Sequence, residues 1–207
     1  MSVASLGGKK AGYALAVPRD LAGLCLIAAI GGAGYVFLPN DLALLTRITG
    51  AALFVMSLYL VTGVCGVASL GHAVLYGAGA YTAGYLCLSG LTDPVALIAA
   101  GAAAGSLAGF VFGLIVLQTT GLPQLVLSIA LVQLTHEAAN KASGITGGSD
   151  GMIGITPSRL LGVFSFDFYG RTAYLFGLAL LLIAFAVLRR IVRSPFGLLC
   201  RGIMEDR

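Results

Sequence analysis

Six apolar stretches, each close to the roughly 20 residues that a helix needs to cross a bilayer, constrain this chain more than any other feature. We predict transmembrane helices at residues 21–38, 42–64, 67–88, 95–117, 122–140 and 171–188. Hydrophobic residues make up 58% of the 207 positions and charged residues only 10%, against about 25% charged residues in soluble domains. The expected fold is therefore all-α, a polytopic bundle of about six transmembrane helices.

The third stretch, VASLGHAVLYGAGAYTAGYLCL at residues 67–88, is polar and glycine-rich in its first half. Polar side chains are costly at membrane depth and usually face a bundle interior or a water-filled path, whereas glycines let a second backbone come close. Two interpretations remain open: the helix lines a route through the membrane, or it forms a packed seam between helices. The residues that we assign to such a route are Ser69, Gly71, His72, Gly77, Gly79 and Tyr81.

The fourth and fifth stretches carry two further patterns. Glycines recur every four residues in the fourth stretch, at Gly101, Gly105, Gly109 and Gly113. Residues four apart share one helix face, so this pattern predicts a smooth surface for another helix. Polar side chains in the fifth stretch suggest a wet face, and they are Gln124, Ser128, Gln133, Thr135, His136 and Glu137.

Lysine and arginine lie mostly at the two ends of the chain, which predicts how it crosses the membrane. With a cytoplasmic N-terminus, six crossings place eight of these residues inside and four outside, as the positive-inside rule requires. The net charge of +4 then reflects topology and does not indicate nucleic-acid binding. We predict a loosely ordered cytoplasmic tail at residues 1–20, a transmembrane domain at 21–190 with an external loop at 141–170, and a cytoplasmic segment at 191–207.

The sequence offers no convincing motif for covalent chemistry. His136-Glu137 lacks the second histidine of a zinc-protease motif, because position 140 is Asn. GGSDG at residues 147–151 matches G-x-S-x-G, but no histidine follows Ser149. Without a G-x-x-x-x-G-K-[ST] motif, ATP would have to bind another chain. We expect no enzyme activity, no catalytic residue, no metal site and no cofactor.

Residues 194–207 predict a short amphipathic helix after the last transmembrane stretch. Ser194 suits the N-cap and Pro195 the first helical position. Apolar side chains such as Phe196 adjoin charged ones such as Arg201 and Glu205. Mixed acidic and basic charge favours a protein partner over anionic lipid, since a lipid-binding helix would be mainly basic.

Three segments of the chain, taken together, match the motifs of a known family. They are SLGHAVLYGAGAYTA at residues 69–83, ITGGSDGM at 145–152 and SPFGLLCRGIMED at 194–206. These segments are similar to S-L-G-H-x-x-F-x-G-x-G-A-Y, T-G-G-x-x-G and S-P-F-G-R-x-L-x-A-I-R-x-x-E in the LivM-type permease subunit of bacterial branched-chain amino acid ABC importers. The chain resembles that family over nearly all of its length.

The resemblance implies a permease in the bacterial inner membrane that carries branched-chain amino acids. Its partners would be a second permease subunit, ATP-binding cassette subunits and a periplasmic substrate-binding protein, with membrane lipid around them. The matching external-loop residues are Thr146, Gly147, Gly148 and Gly151. The matching residues of an ATPase-coupling helix are Ser194, Pro195, Phe196, Gly197, Arg201, Glu205 and Asp206.

Two departures from the family pattern stand beside this resemblance. Leu198 and Met204 replace arginines, which thins the basic face of the coupling helix. The family also continues through further transmembrane helices, so we expect a permease truncated at its C-terminus. A second function remains open from the residues: an ion-coupled secondary transporter or a passive channel for a small solute such as urea, with His72 and Glu137 as relay groups.

Overall fold

The computed structural model describes residues 7–66, 70–116, 118–119, 121–159, 164 and 170–205, with side chains except at 7–20 and 203–205. The helices are α1 (Gly7–Phe37), α2 (Leu42–Leu58), α3 (His72–Leu88), α4 (Pro94–Val116), α5 (Leu122–Lys141), α6 (Ser143–Thr146), α7 (Arg171–Arg193) and α8 (Pro195–Glu205). Tyr59–Val64 continues α2 as a π-helix, and Gly148–Asp150 forms a 3₁₀ turn. The all-α prediction is confirmed.

The long helices lie where the apolar stretches predicted them, and the differences are at their ends. α1 begins at Gly7, so the backbone of residues 7–20 is helical. α3 begins at His72, after the π-helix and a break at Gly66. α7 continues to Arg193, because arginine also favours a helix.

Three helices of the described chain are long and apolar enough to cross a membrane, judged by length and composition. They are Leu42–Val64, Pro94–Val116 and Arg171–Arg193, and Leu21–Phe37 is a shorter apolar helix. Within the described residues, the chain divides into two compact units. One lies within Met1–Leu60 and Phe168–Gly202, and the other within Val61–Asp167 and Ile203–Arg207. The predicted division into tail, membrane domain and cytoplasmic segment depends on the position of the membrane and stays a prediction.

The first unit is built from α1, α2 and α7, which pack through small residues. A Cβ atom placed on Gly31 of α1 would come within 2.6 Å of Leu178 Cδ1 in α7. A Cβ on Gly177 would lie 3.0 Å from Thr49 Oγ1 in α2. The buried Tyr174 hydroxyl donates a 2.8 Å hydrogen bond to the Gly31 carbonyl. Close contact at small residues is how membrane helices gain packing energy, since lipid removes the hydrophobic drive between them.

In the second unit, α3 packs along the glycine face of α4. Gly101 meets the α3 backbone. A Cβ atom placed on Gly105 would lie 3.3 Å from the Leu75 carbonyl oxygen, and one placed on Gly109 would lie 3.1 Å from Leu75 Cδ2. Gly113 has open space around it. The prediction that this face accepts another helix is therefore confirmed for three of the four glycines.

Large apolar side chains face outward along the long helices. Leu107 and Phe110 of α4 and Val126 of α5 are each 66% exposed. In water such a surface would drive aggregation. In a bilayer it would contact lipid tails, which are equally apolar. The outward placement of these side chains is therefore the arrangement expected of helices in a bilayer.

Candidate functional site

A cavity of about 220 Å³ lies between α3 and α5 in the second unit. It is lined by Ala73, Val74, Gly77, Ala78 and Tyr81 from α3 and by Val132, Thr135, His136 and Ala139 from α5. On both helices these positions recur three or four residues apart and thus lie on one face. Most of the lining is small and aliphatic, with a few polar groups, which is the usual make-up of a site for a small molecule.

Some polar side chains of the cavity already make hydrogen bonds within their own helix. Thr135 Oγ1 donates to the Leu131 carbonyl of its own helix at 2.7 Å. His136 Nε2 lies 3.2 Å from Asn140 Nδ2, one turn further along α5. Tyr81 stands opposite on α3 and is partly exposed. The imidazole and the phenol are therefore the polar side chains best placed to meet a guest in this cavity.

The described residues that we assigned to a route from the sequence do not share one face. Gly77 and Tyr81 line the cavity. Gly71 is buried, and a Cβ atom there would overlap the ring of Phe112 in α4. Gly79 meets the backbone of α4 at Gly101. These two glycines serve helix packing, as the packed-seam interpretation expects, and the route through the membrane stays a prediction.

Two other residues of that set are placed differently. His72 is the first residue of α3 and is half-buried. Ser69 lies outside the described residues. The lining residues that the sequence did not single out, Ala73, Val74, Ala78, Val132 and Ala139, are small or aliphatic. Only their three- and four-residue spacing from Gly77, Tyr81 or Thr135 would have found them.

The face of α5 that lines the cavity continues toward the start of that helix at Gln124 and Ser128. Ser128 is 0% exposed; its Oγ donates to the Leu125 carbonyl at 2.8 Å and lies 3.4 Å from the Leu70 amide nitrogen, which donates to it. Gln124 is 2% exposed, and its Nε2 has no hydrogen-bond partner in the described part of the chain. Buried polar groups are nearly always paired, so this amide marks an unusual position.

The remaining polar residues of α5 do not share that burial. Gln133 and Glu137 are exposed. The predicted wet face of this helix is thus divided between buried residues near its start, cavity residues in its second half and exposed residues on its other sides.

The predicted loop motif folds around the hydroxyl of Thr146. This buried Oγ1 lies 2.5 Å from the Ala139 carbonyl oxygen and 2.9 Å from that of Ala142, and it accepts a 3.2 Å hydrogen bond from the Gly148 amide. One side chain thereby ties the end of α5 to α6 and the 3₁₀ turn. The hydroxyl of Thr146 therefore has a structural role in the loop.

The loop also requires glycine at two of the predicted positions. Gly147 has φ +77°, and a Cβ atom on it would overlap the Gly151 carbonyl. Gly151 combines φ +73° with ψ −177°, a region open in practice only to glycine. The following segment lies against α3, since a Cβ on Gly84 would come within 2.7 Å of Met152 Sδ. Thr146, Gly147 and Gly151 therefore shape a compact loop in the second unit.

A tight corner joins α7 to α8. Ser194 between them has an extended backbone; its hydroxyl donates to the Ile191 carbonyl at 2.6 Å and its own carbonyl accepts from the Leu198 amide at 3.2 Å. Pro195 is the first residue of α8, as predicted. Gly197 is buried against the end of α7, and a Cβ atom there would overlap the Val192 carbonyl. No side chain fits at this position.

α8 presents apolar side chains on its outer surface. Phe196 is 60% exposed and Leu199 is 68% exposed, while Arg201 is exposed on the following turn. Of the other predicted coupling residues, Glu205 ends the helix with a side chain outside the described set, and Asp206 lies outside the described residues.

Comparison with known proteins places these elements in a family. A family model described as the permease component of the branched-chain amino acid transport system matches residues 41–207. No curated protein and no solved structure matches the chain. The matched region contains α2 to α8, and with them the α3–α5 cavity, the loop motif and the α7–α8 corner. The chain therefore belongs to the family of permease components of branched-chain amino acid transport systems, and it is a multi-pass membrane transport component.

Proposed function

We propose that this chain is a LivM-type permease subunit of an ATP-driven importer and forms part of the translocation pathway for branched-chain amino acids. The observation that carries the proposal is the cavity between α3 and α5. It brings small residues, a tyrosine and a histidine together between two helices, and its residues belong to the region matched by the permease family.

The chemistry of the cavity suits a small amphipathic solute. Its volume of about 220 Å³ is below the roughly 300–1,000 Å³ of pockets for drug-sized ligands. Val74, Val132 and the alanines offer an apolar wall for a branched aliphatic side chain, and Tyr81 and His136 offer hydrogen bonds to its polar backbone groups. Leucine, isoleucine and valine combine these two properties.

Alternating access needs a second set of contacts, because a ligand shifts a conformational equilibrium only through differential affinity for the two states. Gln124 and Ser128 lie on the cavity-lining face of α5, nearer its start, and are buried in this state. In our proposal they meet the solute in the opposite state. The Nε2 of Gln124, which has no hydrogen-bond partner among the described residues, would acquire one in that state.

The driving force would reach the pathway through α8. Its exposed Phe196 and Leu199 would insert into a groove of an ATP-binding subunit, and the close fit of Gly197 against α7 would transmit the movement. A second permease subunit and a periplasmic binding protein would complete the importer. In this arrangement the chain lies in the bacterial inner membrane with both termini in the cytoplasm and residues 141–170 outside, as the distribution of basic residues favours.

Filling the cavity tests the proposal. No atom lies within 4 Å of a Cβ placed on Gly77, so in Gly77→Leu the new side chain has room to occupy the cavity. We expect the variant to assemble with its partners and to lose uptake of radiolabelled leucine in proteoliposomes supplied with ATP. Gly113→Leu is the matched control, because Gly113 also has open space around it but lies on α4, away from the cavity-lining residues.

Two results would contradict the proposal. Normal uptake by Gly77→Leu would show that the solute does not pass through this cavity. Uptake driven by a proton gradient in the chain alone, with no ATP-binding subunit present, would support the ion-coupled transporter instead.

A further inference from the structure

A segment of the second unit, residues 147–158, crosses from the end of α5 to the connection between α3 and α4. Just before it, the Thr146 hydroxyl contacts the Ala139 carbonyl oxygen near the end of α5. At its far end, the amide and the hydroxyl of Ser158 both donate to the Thr92 carbonyl, at 2.8 and 2.9 Å. We call residues 147–158 the strap.

The middle of the strap packs on the face of α3 that lines the α3–α5 cavity. Gly77 and Tyr81 line this cavity, and Gly84 lies on the same face, seven residues after Gly77 and three after Tyr81. A Cβ atom on Gly84 would come within 2.7 Å of Met152 Sδ and 3.2 Å of Ile155 Cδ1. These two strap side chains therefore occupy the continuation of the cavity-lining face, one turn beyond the cavity.

The strap also reaches the other wall of the cavity at the same end. The Leu70 amide donates to Ser128 Oγ before the first lining residue of either helix, so the cavity extends from that contact toward the C-terminal ends of both α3 and α5. Ala139 is the last lining residue of α5, and its carbonyl oxygen lies 2.5 Å from Thr146 Oγ1. The strap thus bridges the two walls where the cavity ends.

Two glycines allow the strap to change its course. Gly151 and Gly154, on either side of Met152, have φ +73° and +85°. No atom of the described residues lies within 4 Å of a Cβ placed on either of them, so backbone conformation and not packing requires glycine there. Glycine adopts positive and negative φ about equally readily. The anchor at Ser158 is exposed, and its hydrogen bonds can be exchanged for bonds to water at little net cost.

We propose that the strap is a lid that opens and closes the path between the α3–α5 cavity and the external side of the membrane. Met152 and Ile155 are its closing side chains, and their contact with Gly84 is the closed position. Opening releases Ser158 from Thr92 and moves the strap about its glycines. The inference rests on the proposed function and on the orientation in which residues 141–170 are external.

A disulfide across the far anchor tests the lid. Thr92→Cys/Ser158→Cys places two thiols where the strap contacts the α3–α4 connection. The importer, assembled with its ATP-binding subunits, is oxidised in proteoliposomes, and intact mass reports the disulfide. We expect oxidation to abolish ATP-driven uptake of radiolabelled leucine and reduction to restore it. Each single-cysteine variant controls for the natural cysteines and should transport leucine in both conditions.

A labelling measurement tests the lid without the solute. Ala139→Cys places a thiol on the cavity wall, and its reaction with a membrane-impermeant maleimide added from the external side is timed, with the natural cysteines as background. Adding Met152→Ala shortens a closing side chain and should speed this reaction. Ile153→Ala is the matched control, because the neighbouring Ile153 is 80% exposed, and it should leave the rate unchanged.

Three results would overturn the proposal. They are full uptake in the oxidised double-cysteine variant, equal labelling rates with Met152→Ala and Ile153→Ala, and labelling of the Ala139→Cys thiol from the cytoplasmic side only. If the disulfide does not form, the labelling comparison decides alone. If the unmodified importer takes up no leucine, the proposed function fails, and the labelling comparison still decides whether the strap is a lid.

Discussion

Gly79 of α3 and Gly101 of α4 meet backbone to backbone. A Cβ atom on Gly79 would lie 2.9 Å from the carbonyl oxygen of Gly101, and a Cβ on Gly101 would lie 3.0 Å from the carbonyl oxygen of Gly79. The contact is reciprocal and involves main chain on both sides, so neither residue can gain a side chain unless the helices move apart. It fixes the distance between two helices of the second unit.

Alanine at either position should therefore destabilise the protein. A new methyl group that contacts a carbonyl oxygen forces a backbone shift, and such overpacking costs about 1–3 kcal/mol. Gly113→Ala, in open space on α4, is the matched control. Both substitutions gain the same helix propensity of about 1 kcal/mol, so their difference isolates the clash. Denaturant unfolding in detergent measures it, and equal stability of Gly79→Ala and Gly113→Ala would refute the close contact.

Gly197→Ala should disturb the corner between α7 and α8. The added methyl would overlap the Val192 carbonyl, and relief requires α8 to move away from the end of α7, at a cost of about 1–3 kcal/mol. We expect weaker co-purification of ATP-binding subunits with this variant. Gly202→Ala lies on the same helix with nothing within 4 Å and should behave as the unmodified chain. If both variants retain their partners equally, the corner does not position α8 for docking.

Tyr174→Phe tests the hydrogen bond between α7 and α1. The buried phenol donates to the Gly31 carbonyl at 2.8 Å, and its ring is parallel to that of Tyr35 at 6.4 Å between centroids. Phenylalanine keeps the ring packing and removes only the hydrogen bond, so we expect a loss of roughly 0.6 kcal/mol, the average for such bonds between membrane helices. Tyr85→Phe, at an exposed site on α3, should have no measurable effect on unfolding.

Gln124→Met separates a functional amide from a structural one. Methionine has a similar shape and no donor, so removal of the buried Nε2, which has no partner in the described part of the chain, should stabilise the protein by about 1–3 kcal/mol. In our proposal the same change lowers leucine uptake, because the opposite state loses a contact with the solute. Gln133→Met, at an exposed position of α5, should alter neither quantity. Lower stability together with unchanged uptake would mean that Gln124 has only a structural role.

Much of the fold could be predicted from the sequence because helix-breaking and helix-capping residues mark the helix ends. The predicted helix at residues 95–117 is Pro94–Val116 in the structure, and that at 122–140 is Leu122–Lys141. Asp93 precedes the first of these, and its Oδ1 accepts a hydrogen bond from the Val95 amide at 3.1 Å, as a capping residue does. Such local signals act within one turn and can be read from neighbouring residues alone.

The candidate site was harder to predict because it depends on which helices become neighbours. Gly77 and Gly79 are two residues apart and look alike in the sequence, yet the first lines the cavity and the second packs on α4. Gln124 and Gln133 are the same residue type on one helix, and only Gln124 is buried. Helical periodicity gives the angle between two such residues around the helix axis. The tertiary arrangement decides which of the two faces packs against another helix.

The outward apolar surface of α4 and α5 determines where the chain tolerates sequence change. Where exposed residues such as Leu107 or Val126 contact lipid, which is fluid, any apolar side chain of similar length should serve and the position is free to vary. At the small residues between packed helices, even one added methyl group would clash with the neighbouring helix. Among relatives of this protein, sequence should therefore change fastest at its exposed apolar positions and slowest at the small residues between helices. A water-soluble enzyme shows the opposite pattern, since its apolar positions are the constrained ones.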